Sequence, residues 1–367
     1  MNQLREITVI QTTCILISTI IGVGVLPLPL FGVKAADTGA PLVTFLAIMI
    51  AFLGLWVITK LGIRFPNQSI IQYSETIIGK WPARICNFLV IAFFLLLTGL
   101  GAREFGEVVV TAVLRETPIE VTVIVMLLMA AIPARNDINI FSYIHVFFLP
   151  VILSPGLIIV ALSLKNANVL YLQPLWGHDH KVMILGILTI AALFQGTFII
   201  TILIPYMRRP KKAMKASLWA IGIAGTFYLL IVIAAVSVFG PEEIKQLLWP
   251  TLELARTTSW GRVLQRLDVI FLVVWVTAVF TTLYSSYLFM AFSISQFFHL
   301  RDHKMLSYFL LPLVFVIAMY PKNSLKMYEV IVLVGTFGLI LTIIYPCVLL
   351  VMAILRKQEG HRTIENG

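Results

Sequence analysis

The sequence predicts an all-α polytopic membrane protein of about ten transmembrane helices. Hydrophobic residues fill 60% of its 367 positions and charged residues only 12%, with a mean hydropathy of +0.98. That is more apolar surface than a water-soluble chain of this size can bury. The apolar residues also fall in blocks of roughly 16 to 30, the length that crosses a hydrocarbon core of about 30 Å. Two of those blocks are, moreover, interrupted by glycine near mid-span.

The first block, 7–33, carries no charge, yet its middle reads ISTIIGVGVLPLPLF over Ile17–Phe31, with Gly22, Gly24, Pro27 and Pro29 together. It is too long for a cleavable signal peptide, lacks a basic leading region and ends in no small-residue cleavage site. Blocks 40–59 and 85–102 follow. Arg103, Glu104 and Glu107 close the third block at its outer end and read as an ordinary charged helix end rather than a gate or proton relay. Blocks 119–134 and 305–320 are short and are expected to lie partly in protein rather than lipid. Block 138–164 contains His145, read as a packed or hydrogen-bonded histidine.

The sixth block, 182–207, is the second interrupted one, with Gln195-Gly196-Thr197 near its middle. After block 216–240 comes an outer segment, 241–268, in which PEEIKQLLWPTLELA spaces apolar residues as a helix does. It suggests short helices lying on the surface. Block 269–298 is rich in aromatics, including Phe280, Tyr284, Tyr287 and Phe292. The last block, 327–355, holds Glu329, which this reading places within a span and within reach of Lys326.

Cys14, Cys86 and Cys347 show no metal or redox spacing and read as small core residues. His178, Asp179 and His180 read as a solvated outer loop rather than a metal site, so neither metal nor cofactor is expected. The net charge of +10 matters through its distribution rather than as a sign of nucleic-acid binding. With the N-terminus cytoplasmic, alternate loops place Arg5, Lys60, Arg64, Lys80, Arg84, Arg135, Arg208, Arg209, Lys211, Lys212, Lys215, Arg301, Lys304, Arg356, Lys357 and Arg362 inside. The positive-inside rule therefore puts both termini in the cytoplasm, and the 208–215 cluster is expected to meet anionic lipid headgroups. The whole chain reads as one transmembrane domain, with a cytoplasmic tail at 356–367.

The two interruptions raise a physical question. Unwinding a helix at mid-membrane frees backbone N–H and C=O groups, each costing several kcal/mol in hydrocarbon. A ligand can satisfy them, and the positive end of a half-helix favours a carboxylate. The interruptions lie five spans apart, an odd offset that reverses topology. Glycine- or proline-broken spans at matching positions in two halves point to an inverted-repeat transporter fold with a central site.

IGVGVLPLP in the first span, YMRRPKKAMKA after the sixth, and LWPTLELAR followed by RLDVIFLVVW before the eighth carry a family resemblance along nearly the whole chain. Bilayer physics does not demand a Pro-Thr-Leu-Glu string in an outside loop, so that stretch is the most specific. The chain resembles the spore germination permeases, B subunits of nutrient germinant receptors within the amino acid–polyamine–organocation superfamily. The resemblance implies a five-plus-five inverted repeat, here 1–165 and 181–355, with discontinuous first and sixth helices. It implies a ligand pocket in which Gly22, Val23 and Gly24 face a carboxylate and Gln195, Gly196 and Phe198 line the opposite wall. Phe94, Leu97 and Thr98 of the third span and Thr282, Tyr284 and Tyr287 of the eighth complete the expected lining.

The function so implied is a receptor subunit that binds a small germinant, an amino acid above all, and signals to receptor A and C subunits in the spore inner membrane. The alternative is an H⁺- or Na⁺-coupled amino acid transporter, because fold alone does not separate the two. The dearth of acids within spans argues against proton coupling. An enzyme is not expected: the sequence has no HExxH, no GxSxG and no paired acids within the spans.

Overall fold

The computed structural model describes residues 6–174, 179–258 and 267–360. His178, Arg5, Arg266 and most of the C-terminal tail therefore lie outside the described residues. The fold is all-helical, with one isolated parallel bridge, Ile7 to Met207, among the described residues.

The first span is broken as its glycines and prolines predict. Helix α1 (Val9–Ile20) starts on a capping box in which the Thr8 hydroxyl accepts from the Gln11 amide and the Gln11 side chain accepts from the Thr8 amide. It ends at Ile21, whose ψ of 97° is extended rather than helical. A 3₁₀ turn at Val23–Val25 leads into α2 (Leu28–Ala36), where Pro29 sits in the first turn, the one place a helix tolerates it. The apolar run Leu28–Arg64 is two helices rather than one long span. A Cβ on Gly32 would lie 3.0 Å from that of Ala40, so the chain doubles back at Asp37 (φ 44°) into α3 (Ala40–Arg64).

A short amphipathic helix, α4 (Ile70–Ile78), precedes the third span, α5 (Lys80–Ala112). Helix α6 (Ile119–Ala131) is short, as expected of the fourth span, and α7 (Ile138–Ser163) carries Pro150 and Pro155 in its interior. The sixth span is α8 (His180–Ala192), a 3₁₀ segment at Gln195–Ile199 and the single turn α9 (Ile200–Leu203). Its halves, His180–Ala192 and Gln195–Tyr206, are bent by 44°. Helix α10 (Ala213–Ile244) is interrupted at Gly240, whose φ of 73° only glycine adopts readily, immediately before Pro241. Lys245 beyond it pairs with Asp37 at 2.5 Å and Glu242 at 2.8 Å, which pushes its ammonium pKa up and ties the α2–α3 turn to the end of the seventh span.

Helix α11 (Pro250–Thr257) forms within the outer segment, but it is not a surface helix. Pro250, Thr251, Leu252, Leu254 and Ala255 are all buried, and α11 packs between α12, α10 and α2. The eighth span is α12 (Leu267–Phe297), the ninth the short α13 (Leu306–Met319). The tenth is α14 (Ser324–Leu339) joined through a π-helical turn at Ile340–Ile344 to α15 (Tyr345–Leu355). The largest buried side chains, among them Trp275, Phe94, Phe198, Tyr284, Tyr287 and Phe289, gather around α5, α12 and the sixth-span break. The chain is an integral membrane protein whose two broken spans cross at its centre.

Candidate functional site

The breaks meet through glycine. A Cβ on Gly196 would come within 3.1 Å of the Thr19 carbonyl oxygen, and one on Gly22 within 2.0 Å of the Thr282 hydroxyl. Neither position has room for a side chain, so the small residues let backbone touch backbone and α12.

The carbonyls freed by the break are capped by side chains of other spans. Ser18 C=O accepts from the Thr281 and Thr282 hydroxyls at 3.1 and 3.3 Å, and Thr19 C=O from Thr282 at 3.2 Å. The Tyr228 hydroxyl of α10 donates to Ile20 C=O at 2.6 Å. On the far side of the break the Thr251 hydroxyl donates to Val25 C=O at 2.7 Å. The unwound backbone is thus sustained by protein groups. Its own hydrogen bonds run from Val25 N–H to Gly22 and from Leu26 N–H to Val23, and neither uses the amide of Gly22, Val23 or Gly24.

A cavity of about 100 Å³ opens between the breaks, space for several water-sized groups at about 10–15 Å³ each. Of the residues expected there, Val23, Gly24, Phe94, Leu97, Gln195, Gly196 and Thr282 line it. Gly22 does not, since it is backed onto Thr282, and neither do Thr98, Phe198, Tyr284 or Tyr287. Thr98 faces α12, donating to the Phe94 carbonyl at 2.7 Å and to the Ser286 hydroxyl at 3.0 Å. Phe198 packs on Phe94 and Phe289. The tyrosines correct the register of the eighth span. Positions 284 and 287 share one helix face, and that face turns to α6, α7 and α13: the Tyr284 hydroxyl donates to Pro133 C=O at 3.1 Å and that of Tyr287 to Ser307 C=O. The neighbouring face presents Thr282, Leu283, Ser285 and Ser286 to the cavity instead.

His145 is fully buried and both its ring nitrogens are engaged, Nδ1 with Phe141 C=O and Nε2 with the Ser285 hydroxyl, each at 2.9 Å. Ser285 in turn meets Thr19 at 2.7 Å, so a polar chain runs from the fifth span to the cavity edge. Gln195 donates from Nε2 to Gly335 C=O at 2.6 Å, tying the sixth-span break to the tenth span, whose Ile331, Val332, Val334 and Gly335 also line the cavity.

The acid at the cavity is Glu104. The third span runs to Ala112, so Arg103, Glu104 and Glu107 lie on it rather than beyond its end. Arg103 and Glu107 pair at 2.7 Å one turn apart. Glu104 is 4% exposed, lines the cavity and accepts from the Tyr328 hydroxyl at 3.1 Å. Trp249 Nε1 donates to that hydroxyl at 2.9 Å, and Tyr328 meets Phe31 edge-on, ring centroids 6.2 Å apart. Phe31 and Tyr328 stand between the cavity and a wider recess of about 670 Å³ lined also by Lys34, Leu325 and Glu329. Glu329 pairs with Lys326 at 2.9 Å and is mostly exposed. Among the described residues, no group of three or more His, Cys, Asp or Glu is placed to hold a metal.

Comparisons with known proteins agree with this architecture. The family model described as "Spore germination protein" matches residues 6–327. Spore germination protein YndE of Bacillus subtilis (strain 168) is 26% identical over 96% of this chain and 98% of its own. Spore germination protein B2 of the same organism is 24% identical over 98% and 99%, and GerLB of Bacillus cereus 25% over 94% of each. Among solved structures, MhsT in complex with L-phenylalanine superposes with a TM-score of 0.70 at 12% identity, covering 98% of this chain and 91% of that one. Mhp1, a nucleobase-cation-symport-1 family transporter, gives 0.62 at 13%, covering 92% and 78%. The fold is thus that of the broken-helix, inverted-repeat transporters, and the chain belongs to the spore germination protein family.

Proposed function

We propose that the protein is a nutrient germinant receptor subunit that binds a small ligand, an amino acid above all, in the cavity between its broken helices. One observation carries the reading: a cavity lined by Val23 and Gly24 of a broken helix and by a buried acid is lodged in a spore germination family member. Backbone amides at Val23 and Gly24 suit a carboxylate, and the Phe94, Leu97 and Leu193 walls suit an apolar side chain. That MhsT holds L-phenylalanine on the same fold supports the ligand class. Ligand closing around the breaks shifts a two-state equilibrium by its differential affinity for the two states, and receptor A and C subunits read the shift. The setting is the spore inner membrane, with both termini cytoplasmic and the exposed 208–215 cations against anionic lipid. The role is recognition and signalling, without chemistry on the ligand.

A coupled amino acid transporter is the second reading. Glu104 favours it, because an acid buried in a span removes the objection that no titratable group lies in the path. Purified protein in proteoliposomes decides between them, with a labelled amino-acid panel and imposed H⁺ or Na⁺ gradients. The receptor reading predicts saturable binding without accumulation above equilibration. Gradient-driven accumulation overturns it in favour of the transporter.

A further inference from the structure

Among the described residues Glu104 has no ion-pair partner of opposite sign, although its side chain is buried. Arg103 is paired with Glu107 and Lys326 with Glu329, while Lys34 lines the outer recess rather than the cavity. The hydrogen-bond partner of Glu104 is the Tyr328 hydroxyl, a neutral donor. A carboxylate taken out of water either takes up a proton or needs a counter-charge, since its burial as a bare ion is strongly unfavourable. The open side of Glu104 is the cavity itself. Among the described residues no lysine or arginine lines the cavity, so positive charge inside it comes from an occupant.

The geometry also says where that charge must sit. A Cβ on Gly101 of α5 would lie 3.4 Å from the Val23 side chain, so Gly101 marks where the third span faces the first-span break. Glu104 is three residues further on, about 4.5 Å along the helix axis. The cavity thus has a broken-helix end at Val23 and Gly24 and an acidic end about one turn of α5 away, with Leu97, Leu100 and Leu193 also in its lining. Trp249 and Tyr328 hold the carboxylate from behind, so it does not fold away from the cavity.

The geometry points to Glu104 as the anchor for a cationic amine on the occupant, and so to a ligand class in which an ammonium is required and a carboxylate alone is insufficient. This rests on the ligand-cavity reading above and narrows it. A monocarboxylic acid of the same side chain satisfies the broken-helix end only, and leaves Glu104 uncompensated against a second negative charge.

The test pairs each of L-alanine, L-valine, L-leucine and L-phenylalanine with its deaminated acid: propanoate, 3-methylbutanoate, 4-methylpentanoate and 3-phenylpropanoate. Binding to the full-length protein in nanodiscs is measured calorimetrically, in sodium and in choline chloride, for the native chain and Glu104→Gln. The native protein is expected to bind at least one amino acid tenfold or more tightly than its deaminated partner, in either salt. Glu104→Gln should lose at least tenfold for that amino acid and abolish the preference over the acid. Equal binding of an amino acid and its deaminated partner by the native protein overturns the assignment without recourse to any variant. So does full retention of the preference in Glu104→Gln. Deaminated acids that bind as well as amino acids, in sodium alone, make Glu104 a metal-cation site and overturn the amine. Failure of every panel member to bind the native protein overturns the ligand-cavity reading, and the amine anchor with it.

Discussion

At the scale of single residues, glycine, threonine and tyrosine divide the work of a broken span. Glycine at 22 and 196 removes the Cβ that would strike Thr282 and Thr19, and threonines and Tyr228 give the exposed carbonyls their hydrogen bonds. The glycines were legible in the sequence because they interrupt two apolar spans at matching positions five spans apart, where helix packing alone would explain one. The threonine caps were not, since their partners lie about two hundred residues or more away: 226 separate Thr251 from Val25. Nor was the register of the eighth span legible: a face of Tyr284 and Tyr287 and a face of Thr282, Ser285 and Ser286 both carry hydroxyls among apolar neighbours, and all but the half-buried Thr282 are buried. Tyr287 makes the distinction testable. Its hydroxyl serves Ser307 rather than the cavity, so Tyr287→Phe should cost about 1–3 kcal/mol of stability, the penalty for a buried acceptor left unmade. The order of preference among amino acids should not change. Calorimetric binding and a thermal melt of the variant check both, and a reordered preference would place the tyrosine at the ligand.

At the scale of elements, hydropathy located the spans well and their ends poorly. The bilayer imposes apolar runs of span length, and so the blocks were visible; the third span seemed to end at Ala102 because Arg103, Glu104 and Glu107 follow. The helix continues because those side chains face protein rather than lipid: Arg103 pairs with Glu107 one turn on, and Glu104 accepts from the Tyr328 hydroxyl and turns to the cavity. Helix α11 failed to be legible for the opposite reason. Its apolar spacing was visible, but an amphipathic helix packed on membrane lipid and one packed into the protein have the same pattern. Buried, it delivers Thr251 to the first-span break, both by its hydroxyl to Val25 and by its amide to Leu26 C=O at 3.4 Å. Thr251→Val keeps the shape and removes the hydroxyl donor. The expected outcome is a loss of about 1–3 kcal/mol, seen as an earlier thermal transition in detergent. An unchanged transition would mean that water or a backbone shift replaces that cap.

At the scale of the whole molecule, the central fact is that both broken spans, the acid of the third span, a hydroxyl-bearing face of the eighth and an apolar face of the tenth converge on one cavity. An inverted repeat produces this because matching breaks in oppositely directed spans are brought to the same depth. The sequence showed the two breaks and their reversed relation. It did not show which third-, eighth- and tenth-span faces would meet them, since helix rotation is set by packing among spans.

Gly24 offers the most direct test of the cavity as the binding site. Unlike Gly22, whose Cβ would collide with Thr282 at 2.0 Å, a side chain at 24 meets the flexible end of Leu193 at 2.7 Å and so fills the cavity while the fold persists. The measurement is the affinity of Gly24→Val for the amino acid that the native protein binds, on material that elutes as the native protein does in size-exclusion chromatography. The cavity account predicts at least a tenfold loss of binding, about 1.4 kcal/mol or more. Native affinity in that variant would place the ligand elsewhere and remove the first-span break from recognition.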